Sequence, residues 1–337
     1  MTTLNAYRGL FELDFEKPIL QLEKQIADME AQNDPDRSAT GLDPSIDYSA
    51  ELRKLRASHT AMLRKTYQKL SAHNTVKVAR HPGRPQTIDY IEGIVKDFCE
   101  LHGDRRHGDD RAILAGFGRI GPHKCLVLGH HKGKDTKDKI AANFGMPHPE
   151  GYRKALRCMK LAEKFGLPVV SFIDTPGAYP GVEAEERGQG QAIAENLLEM
   201  ARLKTPIVCV VLSEGGSGGA LGIGVGDRLA MLQYAWWSVI SPEGCAAILW
   251  KQANAENNAA AAEAMRVTAA SNKKLGTIDA VIDEPLGAAH RDPQAAMLSV
   301  ERYVTQAIRE LKRFKVDNLI ARRQERLAAI GELAESV

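Results

Sequence analysis

"PIVCVVL" (Pro206 to Leu212) runs straight into "SEGGSGGALGIGVGD" (Ser213 to Asp227). A short apolar run rich in valine reads as a buried strand. The small residues that follow lead into a helix. The same junction occurs upstream, where "LPVVSFID" (Leu167 to Asp174) reads as a strand and "TPGAYPG" (Thr175 to Gly181) as its glycine-bearing turn. Loops at the carboxyl ends of such strands are where α/β proteins place their sites. Gly177 and Gly181 flank "AYP", where glycine lets backbone approach a ligand closely or adopt positive φ.

Around these junctions strands and helices alternate, which means crossover α/β units. "CLVLGH" (Cys125 to His130) is a short strand. "GYRKALRCMKLAEKFG" (Gly151 to Gly166) carries Tyr152, Leu156, Met159, Ala162 and Phe165 on one helical face. A helix follows in "ERGQGQAIAENLLEMARL" and a strand in "WWSVI". Ser241 N-caps the helix of "SPEGCAAILW", with Pro242 at its first position. An alanine-rich helix covers roughly 256–271, "GTIDAVIDEP" is extended, and a long helix starts near Asp292-Pro293.

The first 80 or so residues differ. Ile19, Leu22, Ile26 and Met29 recur at helical spacing, as do Leu52, Leu55, His59, Met62, Thr66 and Leu70. Between them lies the turn-rich "NDPDRSATGLDPS". A helical hairpin with a coiled-coil-like seam is expected, either a packing appendage or a partner-docking arm. Three segments result: a helical extension over 1–80, an α/β domain over 81–315 and a helical tail over 316–337.

The chain has 337 residues and a formal net charge of +2, which disfavours nucleic acid as a partner. No run reaches the ~18 apolar residues of a membrane span. The N-terminus lacks the apolar core of a secretory signal, so a cytoplasmic protein is expected. The five cysteines, Cys99, Cys125, Cys158, Cys209 and Cys245, have no metal-knuckle spacing and read as reduced thiols, so no metal is expected in this chain.

The glycines admit four readings. Close helix–strand packing accounts well for Gly222 to Gly226. Gly215-Gly216-Ser217-Gly218-Gly219 fits G-x-S-x-G, a nucleophile elbow with Ser217 at its apex, but nothing singles out a base among the ten histidines. A phosphate cradle lacks its Lys-Ser/Thr pair. An oxyanion hole needs only backbone N–H groups and a helix N-terminus aimed at one point, with no catalytic side chain.

The long stretches Asn143 to Arg157 ("NFGMPHPEGYRKALR"), Phe172 to Gly190, Ser213 to Trp250 and Glu284 to Pro293 resemble the α subunits of bacterial acetyl-coenzyme A carboxylase carboxyltransferases. "DFEKPILQLEKQI" and "ARHPGRPQTIDYI" resemble the same family, so the likeness covers almost the whole chain. The resemblance implies a crotonase-like α/β spiral core with an N-terminal helical extension. It implies transfer of a carboxyl group from carboxybiotin to acetyl-coenzyme A, giving malonyl-coenzyme A for fatty-acid synthesis. The partners it implies are a zinc-ribbon β subunit in an α₂β₂ assembly, a biotin carboxyl carrier protein and an ATP-consuming biotin carboxylase. Activity is expected only with the β subunit, the α side facing biotin and the β side holding most of coenzyme A.

Carried onto this sequence, the resemblance puts backbone donors at Gly218, Gly219 and Ala220, with Gly215, Gly216, Ser217, Gly177 and Ala178 walling the substrate pocket. The base for the α-proton is then assigned to no side chain, and biotin itself is the candidate. Asp174 is expected to close an Asx-turn. The basic stretch "HHKGKDTKDK" (His130 to Lys139) suits coenzyme A phosphates, an acidic carrier surface or plain solvent. Two other functions stay open: a serine hydrolase using Ser217, and an assembly subunit whose partner does all the chemistry.

Overall fold

The computed structural model describes residues 11–32 and 48–331. The turn-rich stretch Asn33 to Ser45 lies outside them. The chain forms two compact units, Met1–Ser71 and Ala72–Val337.

In the first unit, α1 (Lys17–Gln32) pairs with α2 (Ser49–Gln68) as the two apolar stripes require. Ile19, Leu22 and Leu52 are buried, and Leu63 and Tyr67 take interior places that the expected stripe gave to Met62 and Thr66. The Tyr67 hydroxyl donates to Glu16 at 2.7 Å, and Arg56 pairs with Glu30 at 2.7 Å.

The second unit begins with α3 (Ala72–Ala79). From the sequence this helix fell within the extension. Its Ala72, Val76 and Ala79 are buried in one cluster with Trp236, Ala262 and Val267, and the first compact unit ends at Ser71. The elements α4 (Thr87–Ile94), β1 (Val95–Glu100), β2 (Ile113–Ile120) and β3 (His123–His130) follow. Next come α5 (Thr136–Ala141), α6 (Pro149–Lys164), β4 (Val169–Thr175), α7 (Val182–Glu186), α8 (Gln189–Arg202) and β5 (Ile207–Gly216). The chain continues with α9 (Ser217–Leu221), β6 (Arg228–Leu232), β7 (Trp236–Ser238) and α10 (Pro242–Trp250). It closes with α11 (Ala255–Ala264), α12 (Ala269–Lys274), β8 (Ala280–Ile282), α13 (Pro293–Leu311) and α14 (Val316–Ala328).

The sheet runs β1-β2-β3-β4-β5-β6-β8, antiparallel through β3 and parallel beyond it. All of β4 and β5 is buried, as the apolar runs predict for strands covered on both faces. β5 pairs with β6 along Val208–Val211 and then with β7 along Glu214–Gly216. Because of that second pairing the strand runs four residues past the expected end at Leu212. "SEGG" is therefore strand, and the helix starts abruptly at Ser217.

The alanine-rich helix is broken in two, because Arg266 adopts φ 53° and Thr268 bridges to Trp236 before capping α12. Ser241 caps α10 as expected, accepting from the Gly244 N–H at 3.1 Å. No helix among the described residues is long and apolar enough to cross a membrane.

Candidate active site

The carboxyl ends of β4 and β5 lie side by side, and there the ladder between them breaks. Ile173 pairs with Val211, but the next pair is Thr175 with Gly215. β5 therefore carries extra residues, as a bulge does. The freed Leu212 carbonyl accepts from Arg84 Nη2 at 2.8 Å, and Arg84 is itself held by both oxygens of Glu284.

Past the break, bare backbone packs on backbone. A Cβ on Gly216 would lie 2.1 Å from the Pro176 carbonyl oxygen. One on Gly219 would lie 2.3 Å from both the Ala178 nitrogen and the Gly177 carbonyl carbon. Only glycine fits either place. A Cβ on Gly177 would meet nothing within 4 Å, so the space beside it is open. Gly215 sits under the Trp237 ring. The two glycine turns, 34 or more residues apart in the quoted stretches, thus form one surface.

Ser217, Gly218 and Gly219 are the first residues of α9, where N–H groups have no intrahelical acceptor. None of these N–H groups meets an acceptor from another element among the described residues. A regular helix would turn the Ala220 N–H back to the Gly216 carbonyl, which leaves Gly218, half-buried, and Gly219, buried like Ala220, as the donors without an intrahelical acceptor. The Gly219 carbonyl accepts from the Tyr152 hydroxyl at 3.1 Å. Asn196 Nδ2 donates to the Tyr152 and Gly222 carbonyls at 3.0 and 2.8 Å, which ties α6, α8 and α9 together.

Ser217 is exposed, with φ 59°, and no histidine or carboxylate hydrogen-bonds its side chain among the described residues. The elbow backbone is present and the triad is not. Gly222 and Gly226 serve packing as expected: their Cβ positions fall 2.5 Å from the Tyr152 ring and 3.0 Å from Cys209 Sγ.

An ionic layer lies beneath the glycine surface. Lys132 Nζ donates to Asp174 Oδ1 at 2.9 Å and to Glu214 Oε2 at 2.6 Å. Glu214 Oε1 accepts from Arg80 Nε at 2.6 Å and Trp236 Nε1 at 3.3 Å, and Arg80 continues to Glu243 at 2.8 Å. Burial alone would raise the Glu214 carboxyl, but the charges and hydrogen bonds of Lys132 and Arg80 hold it down at about 2. Asp174 is raised, with burial and the Glu214 charge outweighing Lys132. Burial works against the Lys132 ammonium, and the two carboxylates outweigh it, so its pKa rises. Burial pushes the His130 imidazole down to about 3, so it is neutral at pH 7.

Two expectations change here. Asp174 does not close the turn after β4. Thr175 does, accepting from the Gly177 N–H at 3.0 Å and donating to the Gly145 carbonyl at 2.6 Å. Nor is His130 to Lys139 a free basic patch. Lys132 is engaged below the site, Lys134 contacts Asp89, and His131 meets Asp138 at 3.0 Å.

A family model described as acetyl co-enzyme A carboxylase carboxyltransferase-like matches residues 12–331. The chain belongs to this family. It is 51% identical over 323 residues to the acetyl-coenzyme A carboxylase carboxyl transferase subunit alpha of Azoarcus sp., covering 96% of this chain and 98% of that one. The subunit of the same name from Thiobacillus denitrificans is 52% identical over 324 residues, with 96% and 98% coverage.

Among solved structures, the transcarboxylase 12S core matches with a TM-score of 0.51 at 22% identity, covering 66% of this chain and 42% of that one. The β subunit of Pseudomonas aeruginosa geranyl-CoA carboxylase matches with a TM-score of 0.52 at 15% identity, covering 72% and 45%. At these identities the likeness shows the fold, and the crotonase-like α/β core expected from the sequence stands. In this member of the acetyl-coenzyme A carboxylase carboxyltransferase family the two glycine turns stand on strand ends that are welded by backbone contact.

Proposed function

We propose that this chain is the α half of a carboxyltransferase that moves a carboxyl group from carboxybiotin to acetyl-coenzyme A, forming malonyl-coenzyme A. The observation that carries the site assignment is the set of unpaired N–H groups at the start of α9, seated against Gly177 and Ala178. Carboxybiotin, brought by a separate carrier protein, supplies the carboxyl group when bound, and negative charge develops on its ureido oxygen as that group leaves. Donors from Gly218 and Gly219, with Ala220 completing the turn, stabilise such charge; one well-aimed donor is worth about 3 kcal/mol or more. Gly215, Gly216, Ser217, Gly177 and Ala178 shape the pocket wall. No side chain of this chain needs to change protonation state for that role.

The second half of the reaction, enolate formation on the thioester, belongs in this reading to a zinc-ribbon β subunit with its own oxyanion hole. Exposed apolar residues support a partner surface beside the site: Val239 is 79% exposed and Leu249, on α10, 65%. An α₂β₂ assembly, working with a carrier protein and biotin carboxylase in the cytoplasm, completes the reading. We take the helical extension to end at Ser71, with α14 a closing element of the core.

The test is carboxyl transfer in reverse. The purified chain is mixed with a zinc-ribbon β subunit, malonyl-coenzyme A and a biotin derivative, and acetyl-coenzyme A is followed. Activity is expected in the mixture and in neither chain alone. A confirmed complex without activity, or ester hydrolysis by this chain alone, overturns the proposal.

A further inference from the structure

We propose that Lys132 is a positioning residue that sets the spacing of the two glycine turns by clamping β4 and β5 where their ladder is broken. The inference rests on the function proposed above.

Asp174 lies between the last regular ladder residue of β4, Ile173, and Thr175. Glu214 lies in the matching gap of β5, between Val211 and Gly215. Across this gap regular pairing does not fix the strands. Lys132 Nζ reaches both carboxylates, at 2.9 and 2.6 Å. Asp174 immediately precedes Thr175, which closes the turn holding Gly177. Glu214 immediately precedes Gly215 and Gly216, the latter pressed on Pro176. One ammonium therefore links the roots of both turns.

Lys132 is itself held in place. A Cβ on Gly145 would meet Lys132 Cγ at 2.6 Å, so the loop above lies flat on its stem, and that loop is bonded to Thr175. The other polar and charged groups around the clamp are Arg80 on Glu214, Glu243 on Arg80, Trp236, His130 beside Asp174, and Arg84 and Tyr90 behind Asp174.

Without the ammonium, Asp174 and Glu214 are like charges in one buried gap. At high pH they repel and the turns separate. At lower pH one carboxyl takes a proton and the two share a hydrogen bond, which brings the roots back together. Misplacement of the turns acts on developing charge, so it lowers kcat and leaves KM nearly unchanged.

The experiment measures kcat and KM for carboxyl transfer by the assembled complex from pH 6 to pH 9. It compares wild type, Lys132→Met, Lys132→Arg and Lys132→Met/Asp174→Asn, with assembly checked by size exclusion. Lys132→Met is expected to lose roughly 10- to 100-fold in kcat at pH 8.5 and to recover severalfold toward pH 6. Lys132→Arg is expected to restore most of the loss. The double variant keeps the net charge of the gap and is expected to show a flat pH profile above the single variant.

If Lys132→Met does not assemble, the double variant and Lys132→Arg carry the test: both must assemble, with kcat nearer wild type. Wild-type kcat in Lys132→Met at all pH values overturns the clamp. Equal, pH-independent losses in the single and double variants also overturn it. A wild-type complex without transfer activity strikes the proposed function instead. Thermal unfolding of the chain alone then decides the clamp, which requires Lys132→Met to lose more Tm at pH 8.5 than at pH 6 and the double variant to remove that difference.

Discussion

β5 is anchored by buried charge at both ends, and the two anchors differ in kind. At its start, Arg323 of α14 meets both oxygens of Asp227 at 2.8 Å. Arg323 also donates to the carbonyls of Met200, Leu203 and Thr205 at 2.7 to 2.8 Å, and Asp227 Oδ2 accepts from the Ile207 N–H at 2.7 Å. One cation answers one anion, and every group is satisfied. At its end, two cations, Lys132 and Arg80, serve three carboxylates, Asp174, Glu214 and Glu243. The backbone above has N–H groups without acceptors. A closed ion pair with no unpaired neighbour is a fastener. A linked, charge-unbalanced layer under free donors is the foundation of a site.

Breaking the fastener tests the contrast most severely. Arg323→Ala strands Asp227 and three carbonyls in the core and should lower unfolding free energy by about 3–5 kcal/mol. Activity per folded molecule should be retained. Denaturant unfolding together with transfer assays on the folded fraction checks both halves.

Acid should separate the ends next. His130 is neutral in the fold with its pKa pushed down by burial to about 3, against an ordinary value of 6.5. Between those values the unfolded chain binds a proton that the folded one refuses. His130's contribution is therefore complete above about 6.5 and is lost as pH falls toward 3. Glu214, held at about 2, contributes above its ordinary value of 4.5 and loses that contribution as pH falls through 2. His130→Gln should flatten the fall in stability between pH 6.5 and 4.5, where Glu214 adds no slope, and leave only the Glu214 fall below that, read from Tm against pH.

The smallest effect expected is at Tyr152. Tyr152→Phe removes the hydroxyl that holds the Gly219 carbonyl and leaves one buried acceptor unpaired, a change of about 1–2 kcal/mol. It should reduce kcat severalfold without altering assembly, as steady-state kinetics on the complex would show.

Much of this was legible in the sequence. The apolar runs at β4 and β5 mark the central strands, and the glycines after them mark where backbone meets backbone. β1 ("VKDFCE"), β2 ("ILAGFGRI") and β6 ("RLAML") escaped notice, because charged residues and glycines dilute the apolar signal that strand reading relies on. The extra length of β5 was hidden because it depends on β7, a tertiary pairing with Trp236–Ser238.

The ionic layer was only half visible. Asp174 and Glu214 stand at the ends of buried runs, where an acid needs a partner. Lys132, however, is 42 and 82 residues away and looks like any lysine of a basic loop. Thr175 took the turn assigned to Asp174 because the carboxylate was already engaged by that lysine.

The central claim is that backbone donors, and not the Ser217 side chain, serve the reaction. The most direct measurement compares kcat for carboxyl transfer in the assembled complexes of Gly219→Ala and Ser217→Ala, assayed side by side with wild type. Gly219→Ala drives a methyl into the Gly177–Ala178 backbone and should lose at least about 100-fold. Ser217→Ala keeps every N–H and should stay within about threefold of wild type. Loss of activity in Ser217→Ala with Gly219→Ala near wild type would contradict the account.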